Sequence, residues 1–258
     1  MRSCEVSTES QFPAHDVLEW YTNAESLLVD FLRYVPYCDS HGEVWSPRLV
    51  TILQETCSQL DSLWRWEAVH IHERKSNEVN IMDYFELFGP ELAKRPVLFW
   101  ADEPRQIDPF EKWQDVTEFK KEAYAPLDWW TEGYQKIKHN RLENRTCATL
   151  KRTVEALSGL FLALVRCESC WQALWQRCWL SSCDQSMADP LYSLGAVFKP
   201  ADHHRRHAPP PVAVESGLFA YRVIRCKEQF RVLRGCPYGE SGLSRQYRAW
   251  CSTHAGSS

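Results

Sequence analysis

The stretch ATLKRTVEALSGLFLALVRCESCWQALWQRCW, residues 148–179, carries the longest helical pattern in the chain. Its apolar residues recur three or four positions apart, which places them on one face of an α-helix. The most apolar part, Leu157 to Val165, is too short to cross a bilayer. We therefore expect a long helix in the core of a mainly α-helical bundle.

Two more helices are predicted upstream of this one. Apolar residues follow the same spacing across residues 16–35, which indicates a first helix. Ser46 precedes Pro47, so a capping hydroxyl stands before a proline at the first helical position, where its missing N–H costs nothing. A second helix is therefore expected from Pro47 to about Val69.

A third, short helix and a long connection follow. Asn80 is a good N-cap, and Gly89 followed by Pro90 is a common helix stop, so this helix should end at Gly89. Residues 94–127 contain four prolines and little periodicity, which indicates a long proline-rich connection with an extended stretch at residues 97–100. Asp128 is expected to cap the helix that begins after it.

The last quarter of the chain differs in charge from the rest. Residues 1–198 carry 20 Lys and Arg against 30 Asp and Glu, whereas residues 199–258 carry ten basic residues against four acidic ones. We expect a helical domain at 1–198 and a basic, irregular C-terminal extension at 199–258, with only residues 218–224 strand-like. The extension could bind nucleic acid, or it could dock on the acidic body of its own or a neighbouring subunit.

Composition indicates a globular protein of the cytoplasm. Hydrophobic residues make up 44% of the 258 residues, enough to bury a sizeable core. The eleven cysteines are odd in number, and no export signal or membrane span is recognised, so reduced thiols and no membrane association are expected. Glycine-rich phosphate loops, Gly-x-Ser-x-Gly elbows and His-Glu-x-x-His motifs are missing from the sequence, which leaves nucleotide hydrolysis, serine-hydrolase chemistry and zincin-type proteolysis without support.

The segment WWTEGYQKIKHNRLENR, residues 129–145, is the main candidate site. It interleaves basic and aromatic residues, and cations that neutralise phosphates beside aromatic faces that stack on bases suit single-stranded nucleic acid. Neighbouring cations would keep His139 neutral and able to act as a general base. The alternative is an ordinary helix with a core face and a solvated face. The residues expected to bind nucleic acid are Trp129, Trp130, Tyr134, Lys136 and Arg145.

The tetrad Lys138, His139, Asn140 and Arg141, placed after an aromatic stretch and before a long apolar helix, resembles that of helical HEPN-like proteins of bacteria. The resemblance covers roughly residues 16–165. It implies a helical bundle, often a homodimer, from a superfamily rich in ribonucleases, toxins and phage-defence proteins. It also implies that these four residues are the catalytic candidates and that RNA is the partner.

The sequence departs from the catalytic signature of that superfamily, an Arg followed after four to six residues by a His. The positions that would hold the Arg before His139 are Glu132, Gly133 and Tyr134, and none supplies a guanidinium. The bare spacing also occurs at Arg65 with His70 or His72 and at Arg248 with His254, a number that chance explains.

Cysteine and histidine clusters raise the question of zinc. Cys167, Cys170, Cys178 and Cys183 have spacings at which thiolates hold zinc, but the first three lie on the apolar helical stripe, where cysteine behaves as a small hydrophobe. The cluster of His203, His204 and His207 stands in a proline-rich tract. We favour core cysteines and a solvated linker, so no metal and no cofactor are predicted.

Two functions remain open at this point. The first is an RNA-engaging HEPN-like protein of a toxin–antitoxin or antiviral defence system, and if it is an enzyme, a metal-independent endoribonuclease with His139 as base and Arg141 on the phosphate. The second is a non-catalytic interaction subunit or neutralising partner in such a system, with a protein as its partner.

Overall fold

The computed structural model describes residues 12–76, 79–100, 104–116, 127–182 and 212–222. The described chain is mainly α-helical, as predicted, and also contains a small β-sheet that was not predicted. The α-helices are α1 (Ala14–Leu32), α2 (Pro47–His70), α3 (Ile81–Leu92), α4 (Lys136–His139), α5 (Leu150–Arg166) and α6 (Glu168–Gln176), and a π-helix spans Trp129–Gln135.

Helix α2 lies at the centre of the helical body, packed against α1 and α5. Its start is the predicted one, since the Ser46 hydroxyl accepts a hydrogen bond from the Leu49 amide at 3.1 Å and Pro47 occupies the first position. Every residue of α5 from Ala156 to Val165 is buried. None of the described helices is long and apolar enough to span a membrane.

The helical pattern over residues 148–179 is interrupted at Cys167. That residue has φ −69° and ψ 111°, an extended conformation that ends α5 and serves as the N-cap of α6. The Trp171 indole donates a hydrogen bond of 2.9 Å to the Val165 carbonyl, which the helix break leaves available. The prediction of one continuous helix was therefore wrong. The apolar spacing continues past Cys167 because α5 and α6 both face the core, although the helix is broken between them.

Helix α3 begins as predicted but ends later. Asn80 and Asp83 form a reciprocal capping box at its N-terminus. The helix then runs through Gly89 and Pro90 to Leu92, past the expected stop. Proline is tolerated here because its fixed φ is helical and only one hydrogen bond of the last turn is lost.

Five antiparallel strands form a sheet in the order β2-β1-β5-β4-β3. They are β1 (Val97–Trp100), which is the predicted extended stretch, β2 (Pro104–Ile107), β3 (Leu180–Ser182), β4 (Val212–Glu215) and β5 (Phe219–Arg222). Strand β5 pairs with β1 through Phe99 and Phe219. Residues 212–222 lie beyond the predicted domain boundary at residue 199. Their strands β4 and β5 nevertheless belong to the same sheet as β1, so this boundary does not separate them from the helical domain.

The turn between β4 and β5 is anchored on α1. The buried carboxylate of Glu25 accepts hydrogen bonds from the amides of Gly217 at 3.0 Å and Leu218 at 2.8 Å, and from the hydroxyls of Tyr21 and Ser216. A carboxylate with four donors is well solvated by the protein itself, so the turn and the helix are fixed to one another.

Candidate functional site

The aromatic half of the segment 129–145 belongs to the core. Trp129 and Trp130 are each 2% exposed and Tyr134 is 4% exposed. The Trp129 indole donates a hydrogen bond of 3.0 Å to the Pro109 carbonyl, and burial raises the pKa of Tyr134 to about 12. This placement corrects the expectation that the three rings stack on bases, since no face of them is available to a ligand.

The π-helix that carries these rings packs closely against α2. A Cβ added at Gly133 would stand 3.1 Å from Leu53, so the absence of a side chain permits the approach. Asp128 does not cap this helix as predicted; its carboxylate instead forms a 2.7 Å ion pair with Arg152 of α5. The π-helix is thereby held between α2 and α5, and π-helical turns of this kind often occur at functional sites.

The basic half of the segment lies on the surface. We call residues 138–145 the tetrad loop; it contains the end of α4 and the turn that follows. Lys138, His139, Asn140 and Arg141 are all exposed, whereas Ile137 immediately before them is fully buried. The four predicted catalytic residues are therefore consecutive and all exposed, next to a buried anchor.

Backbone and side-chain hydrogen bonds shape the tetrad loop. The Asn140 side chain accepts from the Glu143 amide at 3.4 Å, and the Asn144 amide donates to the Asn140 carbonyl at 3.0 Å. The Asn144 side chain also donates to the Lys136 carbonyl, which satisfies the end of α4. Asn140 thus has a structural role in the turn, of the kind that asparagine side chains commonly fill.

The cations of the tetrad loop contact neighbouring elements through only part of their surface. Arg141 donates to the Thr51 hydroxyl of α2 at 3.2 Å. The Arg145 guanidinium carbon lies 5.7 Å from the ring centre of Trp45, which is 39% exposed. Lys138 lies 5.3 Å from the ring centre of Tyr134. Each charge is positioned by a contact and keeps an exposed side.

Trp45 and Thr51 were not predicted as site residues. They lie near the start of α2, about ninety residues before the tetrad loop. The packing of the π-helix on α2 and a β-bridge between Trp45 and Thr149 bring them close to it. Their sequence signal is weak, because Thr51 reads as an ordinary polar position on an amphipathic helix. Trp45 is a partly exposed aromatic ring, the feature that the buried tryptophans of the segment were expected to supply.

Lys136 is engaged elsewhere. Its ammonium forms a 2.5 Å salt bridge with Glu132 one helical turn away, and this hydrogen bond raises the pKa of Lys136. The predicted nucleic-acid contact at this position therefore competes with an existing partner. Arg145 remains on the exposed surface, where its guanidinium also donates to the Leu142 carbonyl at 2.6 Å.

His139 is exposed, and its imidazole has no hydrogen-bond partner within the part of the chain that the structure describes. An imidazole without an orienting partner can accept a proton from a bound ligand but is not preorganised. Lys136, about one turn before it, pairs with Glu132.

The alternative Arg and His pair at the end of α2 serves the local structure. Arg65 donates to the Ser76 carbonyl at 3.2 Å and lies 3.8 Å from Asp61. His70 contacts the Trp66 carbonyl at 2.9 Å through Nδ1 and stacks on the Trp66 ring. Both groups are occupied by intramolecular contacts, as expected for a helix end. Arg248 and His254 lie outside the described residues.

No group of three or more potential metal ligands is found among the described residues. Cys167 and Cys170 are fully buried, in agreement with the core interpretation, whereas Cys178 is exposed and adopts φ 58°. Cys183 and the cluster of His203, His204 and His207 lie outside the described residues, as does the basic chain beyond residue 222.

Comparison of the chain with protein-family models, with curated proteins and with solved structures found no match.

Proposed function

We propose that this protein is an HEPN-like helical protein that engages RNA through the tetrad loop. The observation that carries the proposal is the separation within residues 129–145, whose aromatic half is buried while Lys138, His139, Arg141 and Arg145 are exposed together. Cations fixed on one turn above a rigid base can neutralise consecutive phosphates without first being ordered.

The chemistry proposed for this surface is metal-independent cleavage of RNA. His139 takes the proton of a ribose 2′-hydroxyl, whose oxygen attacks the adjacent phosphorus, while Arg141 stabilises the charge that develops on the phosphate. The bond to the 5′-oxygen breaks, and that oxygen takes a proton from water. Lys138 adds a second positive charge, and Asn140 acts by holding the turn, through its contact with the Glu143 amide.

RNA binding is tested by its dependence on salt. With three phosphate contacts, from Lys138, Arg141 and Arg145, the logarithm of the binding constant should fall with the logarithm of salt concentration at a slope of about −2. Arg141→Ala should make that slope less steep by about 0.7, because one phosphate contact is lost. Arg33, an arginine just after α1 whose side chain is 70% exposed, provides the matched control and should leave the slope unchanged when replaced by alanine.

Cleavage is tested separately, with His139→Ala measured on a labelled single-stranded RNA in the presence of a chelator. Loss of cleavage with unchanged binding would support the role of His139 as base. His15, an exposed histidine on α1, is the matched control, and His15→Ala should cleave like the parent protein. Cleavage by His139→Ala at the parent rate would remove His139 from the mechanism.

The exposed side chain of Leu142 favours a second candidate function, a non-catalytic interaction subunit. Leu142 is 79% exposed at the tip of the tetrad loop, near the partly exposed Trp45 that contacts Arg145. Exposed apolar groups ringed by cations are common at protein interfaces. This function predicts a stable complex with a second copy or another protein that Leu142→Ser disrupts, and no nuclease activity at any pH or metal concentration.

A further inference from the structure

A pocket of about 330 Å³ lies between α1 and α2, away from the residues of the tetrad loop. Three aromatic rings line it: Phe12 at the start of the described chain, Trp20 on α1 and Trp66 on α2. Trp20 is 47% exposed, and the Phe12 and Trp66 ring centres are 4.5 Å apart. The volume is within the range of small-molecule sites in proteins, and its walls are largely apolar.

The polar residues that line this pocket are all on α2: Glu55, Ser58, Gln59 and Ser62. Glu55 is exposed at the rim, and its carboxylate accepts a 2.9 Å hydrogen bond from the amide nitrogen of Gln59. This contact fixes the orientation of the amide, because the reverse orientation would set two oxygens against each other. The oxygen of Gln59 is then left without a partner, although the residue is only 6% exposed.

An unpaired acceptor of this kind is uncommon in folded proteins. A buried carbonyl oxygen without a hydrogen bond costs about 1–3 kcal/mol, so most are paired with protein or water. The Gln59 oxygen is itself buried, so the carboxylate of Glu55 is the polar group that the pocket presents to a ligand. The described residues that line the pocket include no Lys, Arg or His, so nothing there balances the charge of Glu55.

We propose that this pocket binds a protonated arylalkylamine, with its ring against Trp20 and Trp66 and its ammonium on the carboxylate of Glu55. The tryptophan rings pack against the aromatic ring of the ligand, and the carboxylate pairs with its ammonium. The same arrangement disfavours anions, including the phosphates of RNA. The proposal therefore concerns a ligand distinct from the one proposed for the tetrad loop, and either can fail without the other.

Three probes that share an indole ring test the charge preference by isothermal titration calorimetry: the cation tryptamine, neutral indole and the anion indole-3-acetate. Tryptamine should bind tightest and the anion weakest. Glu55→Gln should weaken tryptamine about fivefold and leave indole unchanged, because only the cation uses the charge. Glu143→Gln, at an exposed acid on the tetrad loop, is the matched control and should bind tryptamine like the parent. Binding of indole-3-acetate as tight as that of tryptamine would overturn the proposal, as would no binding of tryptamine at all.

Discussion

The carboxylate of Glu25 on α1 accepts a 2.8 Å hydrogen bond from the amide of Leu218, 193 residues further along the chain. Burial raises the pKa of Glu25, although its hydrogen bonds with Ser216, Leu218, Tyr21 and Gly217 oppose the rise. The contact joins the β4–β5 turn to the first helix, so the C-terminal strands are held by a single buried acid as well as by the sheet.

Replacing Glu25 by alanine should cost about 3 kcal/mol in the free energy of unfolding, because several buried donors lose their acceptor at once. Urea denaturation followed by circular dichroism measures this loss in the free energy of unfolding. Glu19→Ala is the control: its carboxylate is 59% exposed in a pair with Arg177, so about 1 kcal/mol or less is expected. Equal losses in the two variants would show that the buried contacts of Glu25 contribute little.

The cost of Glu25→Ala should also depend on pH. A carboxyl group whose pKa is raised by folding takes up a proton as the chain folds, so its contribution is complete below the unfolded pKa, near 4.5. That contribution falls as the pH rises through the raised pKa of the folded state. The difference in unfolding free energy between parent and variant should therefore be largest near pH 4.5 and smaller at neutral pH, and a difference that grows with pH would contradict the raised pKa.

Glu67 of α2 and Arg166 of α5 form a buried ion pair, and the Arg166 guanidinium also lies 4.2 Å from the ring centre of Phe88. Arg166→Met should cost about 3–5 kcal/mol, because it leaves the Glu67 charge buried without a partner. The double variant Glu67→Leu with Arg166→Met should recover most of the loss, and chemical denaturation of all four proteins gives the coupling. Additive losses would show that the two charges are solvated independently.

Much of the helical body could be predicted from the sequence, because α1 and α2 bury one face each and the Ser46 cap is local. Residues 97–100 and 218–224 were expected to be extended, but their union in one sheet could not be predicted, because the strands are three or four residues long and β1 pairs with β5 across more than a hundred residues. The candidate site was located by its basic residues. The burial of its aromatic side was one of two interpretations that the sequence left open, a core face or a base-stacking surface. Tertiary packing decides between them, because Trp129, Trp130 and Tyr134 are buried in a π-helix that the α-helical spacing does not describe.

The two halves of the segment 129–145 should respond differently to substitution. Trp129→Phe removes the hydrogen bond to the Pro109 carbonyl and part of a buried ring, so it should cost about 1–2 kcal/mol of stability. Its RNA affinity, measured well below the thermal midpoint, should equal that of the parent. Lys138→Ala should give the opposite result, with weaker RNA binding and an unchanged midpoint. A loss of RNA affinity in folded Trp129→Phe would mean that the ring contacts the ligand after all.

The described cysteines should differ widely in their reaction with iodoacetamide. The hydrogen bond with Ser40 lowers the pKa of Cys38, and its thiol is partly exposed, so a larger fraction is thiolate at neutral pH. Burial raises the pKa of Cys57, and the neighbouring Cys167 together with burial raises that of Cys170. Mass spectrometry of peptides after timed labelling should show Cys38 modified first, and Cys57 and Cys170 modified only in urea.

Zinc or a chelator should not change the labelling of Cys170, because a buried thiol beside Cys167 is protected by packing alone. Protection of Cys170 that a chelator abolishes would instead reveal a metal.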